Sequence, residues 1–313
     1  MDVVKKIREK AKREKKTIIL PEGEDTRVIE ATKVIKSEGI AKLVVLKKGE
    51  LDSKRLKEYS DSYFAIRQHK GMSQEEAHTI MSDPLFYAAM MVKQGLADGF
   101  VAGAAHTTAD VAKASFQCLG LDKKFSVMSS CFIMSIPNCS YGEEGVLLFA
   151  DCGIIPDPSP RQLANIAVCT AELSKRLLNI TPRVAMLSYS TKDSAAGRFV
   201  EKIKEATALA KEITPDLIID GELQVDAAIV PAVAKIKDPD GVISGKANIL
   251  IFPNLESGNI SYKLVERLTG SRAIGPILQG LNFPCSDLSR GCSAEDVVDC
   301  VAATAIRAQK TYG

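Results

Sequence analysis

The 313-residue chain has no tryptophan, and aromatic residues make up only 5% of it. That leaves little with which to stack single-stranded nucleic acid. Its three histidines (69, 78 and 106) have no ligand-like spacing to cysteine, so a Cys–His metal centre is not expected. None of the eight cysteines forms a C-x-x-C pair, and most lie in apolar runs. A chain of this size needs no disulfides, so buried free thiols in a reducing, cytoplasmic compartment are expected. No apolar run approaches the roughly 20 residues of a membrane span, and no signal peptide is visible. The net charge is only +2, which gives no pull towards nucleic acid or a membrane surface. A G-x-G-x-x-G fingerprint and a Walker A loop are both missing. That argues against a standard dinucleotide site and against ATP hydrolysis.

What is present is an ordinary globular composition, 46% apolar and 26% charged, in a chain long enough for one large or two ordinary domains. Residues 2–14 read as a helix. Thr17–Leu20 is a short buried strand stopped by Pro21, and the polar turn 22–27 can cap the next helix. Lys42–Leu46 is another buried strand. Residues 53–95 are helical in pattern, with breaks near 71–73 and 83–84 and a capping box at Ser73–Glu76. Residues 97–101 form a strand that ends in small residues before His106–Asp110. The strands at 125–134 and 145–151, joined by a hairpin-like connection, are expected to be antiparallel. The prolines at 156–160 read as a linker. Helices and strands then alternate, with one helix over roughly 225–236, and a glycine- and proline-punctuated loop segment at 275–284 leads to a final helix at 294–310. This alternation predicts α/β layering around a largely parallel, partly mixed sheet.

Polar clusters fall where strands end: His106–Asp110, Ser188–Ser194, Asp220–Gln224, Asn254–Asn259 and Ser286–Ser293. In doubly wound folds such ends gather on one rim, where ligands bind. Hydroxyls, Lys192, Arg290 and helix N-termini suit phosphate or carboxylate. Asp220, Glu222 and Asp226 offer either a Mg²⁺ site or ordinary hydrogen bonding at a helix start.

The segment Asp287–Asp296 concentrates this chemistry. A loop with Arg290 runs into a helix whose free N–H groups favour an anion. Asp296 has two readings, an N3 capping partner of Ser293 or a general base. The helix start and the arginine weaken a carboxylate base. That weakening matters less against a thiol, with a pKa of about 8.5, than against an alcohol.

Several long segments together resemble the phosphate acetyltransferase (phosphotransacetylase) family in its short form. They are Asp287-Leu-Ser-Arg-Gly-Cys-Ser293 with Glu295-Asp296, His106-Thr-Thr-Ala-Asp110, Met186-Leu-Ser-Tyr-Ser-Thr-Lys192, Asp220-Gly-Glu-Leu-Gln-Val-Asp-Ala-Ala228 and Gly275-Pro-Ile-Leu-Gln-Gly280. The resemblance runs along essentially the whole chain. It implies a two-domain α/β fold similar to the isocitrate and isopropylmalate dehydrogenases, with 1–145 plus 287–313 as the first domain and 146–286 as the second. It also implies a homodimer with its active site in the interdomain cleft. The implied reaction is acetyl-CoA plus phosphate to acetyl phosphate plus CoA, with all four as substrates or products and with no cofactor or metal.

By motif match, Asp296 would deprotonate the CoA thiol, Arg290 would hold the acyl phosphate and Ser289 would donate to the developing oxyanion. Arg67, before His-Lys-Gly, and Lys113 would meet the CoA end. Ser129, Cys139, Ser190, Thr191 and Lys192 would line the acyl phosphate side, Cys139 without acting as a nucleophile. Lys113 stands where the family carries arginine, Asp193 where glycine is expected and Asn254 where aspartate is expected. Two alternatives come from related chemistry or fold: a phosphate butyryltransferase, and a decarboxylating dehydrogenase, which would need a metal-binding aspartate cluster and a nicotinamide site.

Overall fold

The computed structural model describes residues 3–309. Residues 2 and 310, included in the expected first and last helices, lie outside it. Ten strands alternate with helices: β1 (Thr17–Leu20), β2 (Lys42–Val45), β3 (Gly99–Ala102), β4 (Ser129–Ser135), β5 (Val146–Ala150), β6 (Arg183–Leu187), β7 (Ile218–Leu223), β8 (Ile249–Ile251), β9 (Arg272–Gln279) and β10 (Cys285–Asp287). The chain divides into two compact units, one built on Lys6–Leu121 with the segment from Leu281 onward, the other on Asp122–Gly280. The changes of unit therefore fall at 121/122 and 280/281, where the sequence had suggested 145/146 and 286/287. Pairing explains the earlier change: β4 is bonded antiparallel to β5 along its length, from Cys131 opposite Ala150 to Ser135 opposite Val146, so it stays with β5.

In the first unit the strand order is β2-β1-β3-β10, all parallel. β1, β3 and β10 are buried along nearly their whole length, as strands covered by helices on both faces must be. The register sets Cys285 opposite Phe100 and Asp287 opposite Ala102. Since parallel strands end on the same side, the turns after Leu20, Ala102 and Asp287 lie together. The last helix, Ala294–Ala308, is buried on every side from Val297 to Ile306, as a helix packed within the core is. Arg8, on the first helix, holds it by donating to Glu295 at 2.5 Å and to the buried Asp299 at 2.7 Å.

In the second unit the order is β9-β4-β5-β8-β6-β7, with β4 antiparallel to both neighbours and β5, β8, β6 and β7 mutually parallel. The Gly/Pro segment around 275 is strand β9. Its register against β4 shifts between Cys131 and Ile133, opposite Gly275-Pro276, where an irregular ladder accommodates a proline without an N–H. The single helix expected over 225–236 is two short ones, Val225–Ile229 and Pro231–Lys237, because Pro231 starts a new helix better than it continues one.

Candidate active site

The turn after β3 is filled from within. Glu22, just after β1, is buried, and its carboxylate accepts from the successive backbone N–H groups of Gly103, Ala104, Ala105 and His106 at 2.8–3.1 Å. His106 Nδ1 lies 2.8 Å from the same carboxylate, and its Nε2 is 3.4 Å from Asp83. Asp83 and Glu22 together push the His106 imidazole up to about 10, against the effect of burial. Burial opposes ionisation of Glu22, yet His106 and the amides outweigh it and hold the carboxyl below its ordinary value. The backbone N–H groups of this strand-end turn thus meet a carboxylate, and it is the chain's own side chain. Beside it, a cavity of about 390 Å³ is lined by residues including Glu22, Asp25, Lys47, Asp83 and His106.

The loop after β10 carries the candidate catalytic groups. Asp287 is fully buried and takes a 2.6 Å hydrogen bond from the Thr108 hydroxyl; burial raises its carboxyl to about 7. A Cβ on Gly103 would lie 2.3 Å from Asp287 Oδ1 and 2.6 Å from the Leu288 backbone, and Gly103 has φ +117°. Only glycine allows β3 and β10 to end this close together. Ser289 and Arg290 follow, both exposed. The Ser289 carbonyl accepts from Cys292 N–H at 2.9 Å, closing a turn. Ser293 then caps the last helix, and the capping box is complete: Asp296 Oδ2 accepts from both Ser293 N–H and its hydroxyl at 2.8 Å, and Asp296 N–H donates back at 3.2 Å. Asp296 is half-buried. The capping reading of this residue is thus met, and the cap fixes the carboxylate in the first turn of the last helix, six residues beyond Arg290.

Two further expected residues belong to this unit. Arg67 ends the helix Ser53–Arg67. Its Nε is buried with no hydrogen-bond partner among the described residues. It borders a cavity of about 800 Å³ with Lys70, Gly71, Ser73 and Thr79. Lys113 is exposed on the short helix Thr108–Ala114. Neither cavity is lined by Ser289, Arg290 or Asp296.

The remaining expected residues lie in the other unit, and most are engaged internally. Ser129 is fully buried and accepts from Gln279 Nε2 at 2.9 Å. Ser190 is buried and donates to Glu222 at 2.9 Å. The Thr191 hydroxyl accepts from Gln224 N–H at 2.9 Å. Lys192 Nζ donates to Asp220 at 2.8 Å, with Lys211 at 3.4 Å from the same oxygen. Burial opposes the charge on Asp220, but Lys192 holds its carboxyl below the ordinary range. Glu222 also accepts from Asp193 N–H at 2.8 Å, and Asp226 pairs with Lys237 at 2.8 Å. The three carboxylates considered for Mg²⁺ thus meet lysines and local donors. Cys139 is a half-buried free thiol. Asn254, in place of the expected aspartate, caps the helix Leu255–Thr269 by accepting from Ser257 N–H at 2.9 Å.

Sequence reasoning passed over Arg27, which lies in the first turn of the helix Thr26–Glu38. Its guanidinium donates to the Arg290 carbonyl at 2.6 Å and to the Cys292 carbonyl at 3.3 Å, beside the loop just described. The only signal in the sequence was an arginine two residues after Asp25 in a polar turn, which reads equally well as a capping pattern.

Residues 2–305 match the family described as phosphate acetyl/butaryl transferase. The chain belongs to this family. A phosphate acetyltransferase from Thermoanaerobacterium thermosaccharolyticum is 46% identical over 99% of this chain and 100% of the relative. One from Clostridium acetobutylicum is also 46% identical, over 99% of both. Among solved structures, a phosphotransacetylase from Streptococcus pyogenes superposes with a TM-score of 0.90 at 40% identity and 98% coverage of each chain.

Proposed function

We propose that this family member transfers an acetyl group reversibly between CoA and inorganic phosphate; relatives that it covers along 99–100% of their length are named phosphate acetyltransferase. The geometric observation that supports this best is the loop after β10. It presents Ser289 and Arg290 to solvent and leads within one turn to a carboxylate whose orientation is set by its own helix cap.

In the proposed ternary complex, Arg290 pairs with the phosphoryl oxygens of acetyl phosphate. Asp296 takes the proton of the CoA thiol, and the thiolate attacks the acetyl carbonyl. Ser289 donates to the oxygen that becomes negative. The C–S bond forms, the C–O bond to phosphate breaks, and phosphate leaves. In the reverse direction the protonated Asp296 returns its proton to the departing thiolate. A capped carboxylate is a weak base, but a thiol demands less of it than an alcohol. Arg67, with its buried and unpartnered Nε, is proposed for the CoA end, with the exposed Lys113 as a second cation.

On the acyl phosphate side, Ser129, Cys139, Ser190 and Thr191 act at most as lining. Lys192 contributes little directly, since its ammonium group is already paired with Asp220. The reading includes an active site in an interdomain cleft, a homodimeric state and a cytoplasmic location. No helix among the described residues is long and apolar enough to cross a membrane.

The test follows acetyl-CoA with and without phosphate by loss of thioester absorbance. Phosphate-dependent loss supports the transferase; identical traces overturn it. Butyryl-CoA in the same assay reads acyl preference.

A further inference from the structure

We propose that Arg27, backed by Asp25, is a positioning residue for the loop that carries Ser289, Arg290 and the start of the Asp296 helix. The proposal rests on the transferase reading above for its kinetic consequence, but not for its structural one.

The guanidinium has five N–H groups in a fixed fork, and the structure shows an acceptor for every one. Nε donates to Asp25 Oδ1 at 2.9 Å, and Nη2 donates to Asp25 Oδ2 at 2.7 Å and to the Ala104 carbonyl at 2.6 Å. Nη1 donates to the carbonyls of Arg290 at 2.6 Å and Cys292 at 3.3 Å, with Cys292 Sγ at 3.7 Å. Asp25 itself caps the helix Thr26–Glu38 by accepting from Arg27 N–H at 2.9 Å, so the brace starts from a rigid element. Its hydrogen bonds to Arg27 hold the Asp25 carboxyl below its ordinary range.

A saturated guanidinium has no donor left for a substrate anion. That separates Arg27 from Arg290, whose backbone it holds while the Arg290 side chain stays exposed. The fork joins three strand-end turns, after β1, β3 and β10, and apart from the distant Cys292 Sγ each acceptor on the last two is a main-chain carbonyl. What it fixes is therefore backbone position, on either side of Gly291. Misplacement of reacting groups by about 1 Å can cost on the order of 100-fold in rate. Lysine has three donors and no fork, so it cannot reproduce the arrangement.

Three variants test this in the full chain: Arg27→Lys, Arg27→Gln and Asp25→Asn. Amide hydrogen exchange of the segment 288–293 is read first, because it needs no assumption about activity. Faster exchange there in all three, with the helix Pro160–Leu178 unchanged, is the expected result. Unchanged exchange in 288–293 overturns the brace, even if the parent proves to have no transferase activity. If the parent is active, kcat should fall roughly 10- to 100-fold in Arg27→Gln, with a rise in KM for acetyl phosphate smaller than that caused by Arg290→Gln. In an Asp296→Asn background the same substitution should cost far less, because groups that act as a unit are non-additive. A raised KM at unchanged kcat, or full additivity with Asp296→Asn, overturns the positioning role. Loss of activity that only tracks the folded fraction in thermal melts does the same.

Discussion

The carboxylate of Glu22 lies 2.8 Å from His106 Nδ1 and closes the amide turn from Gly103 to His106. The contact joins residues more than 80 positions apart. It replaces an external anion by an internal one at the end of β3, and it makes that turn part of the framework behind the loop 287–296.

Glu22→Gln should be strongly destabilising. The amide keeps one acceptor but turns an NH₂ group towards backbone N–H donors, in a site that is almost fully buried. Breaking a buried ion pair on one side costs about 3–5 kcal/mol, so a fall in Tm on the order of 10 °C is expected. Thermal unfolding by circular dichroism measures it. A Tm within a degree or two of the parent would show that the turn does not depend on this charge.

The His106 network has a defined pH signature. Its imidazole is raised from 6.5 to about 10, so its stabilising contribution is complete below the unfolded value and is lost as pH rises through about 10. Glu22 and Asp83 are both lowered. Their contribution is complete above the ordinary carboxylate range and is lost on acidification. Tm should therefore decline between about pH 6.5 and 10, and His106→Gln should be less stable at pH 6 but flatter over that interval. An equally steep alkaline decline in the variant would assign the loss to other groups.

Asp296→Asn separates capping from catalysis. Asparagine retains an oxygen to accept from Ser293 N–H, so Tm should stay within a few degrees, as the cost of a weakened cap is about 1 kcal/mol or less. Turnover should fall roughly 100-fold or more if the carboxylate is the base for the thiol. A variant that melts early but turns over normally would confine Asp296 to its capping role.

Arg290→Gln and Lys192→Met should behave differently, although both remove a cation from a polar turn. The Arg290 side chain is exposed, and its loss should raise KM for acetyl phosphate about 10-fold or more, since hydrogen bonds between charged groups are worth about 1.5–3 kcal/mol. Lys192 is committed to Asp220 at 2.8 Å, so Lys192→Met should lower Tm while changing that KM less than about threefold. Steady-state kinetics with melting curves on both variants decide the matter; a large KM effect at Lys192 would mean that the pair opens for substrate.

Much of this was legible without coordinates, and the reasons are local. The strands β1 and β2 and the capping boxes at Ser73 and Ser293 follow from short-range patterns in which both partners lie within four residues. The hairpin sense of β4 and β5 follows from a short connection. Strand β9 was hidden because Gly275 and Pro276 read as loop residues, and only the irregular pairing with β4 makes room for them. The place of β10 beside β3 was likewise out of reach, because the residues paired there are far apart in the chain.

By itself, the sequence determined the α/β alternation, the helix starts and the family, because each is carried by side-chain type and spacing. Tertiary structure alone decided which polar groups are already spent. It assigned Glu22 to the amides of the β3 turn, Ser129 to Gln279, Lys192 to Asp220 and Arg27 to the carbonyls of Arg290 and Cys292. The physical reason is that backbone N–H and C=O groups are the same at every residue. No sequence pattern marks the one that will meet a distant side chain, and only the ordering of the strands brings the two together.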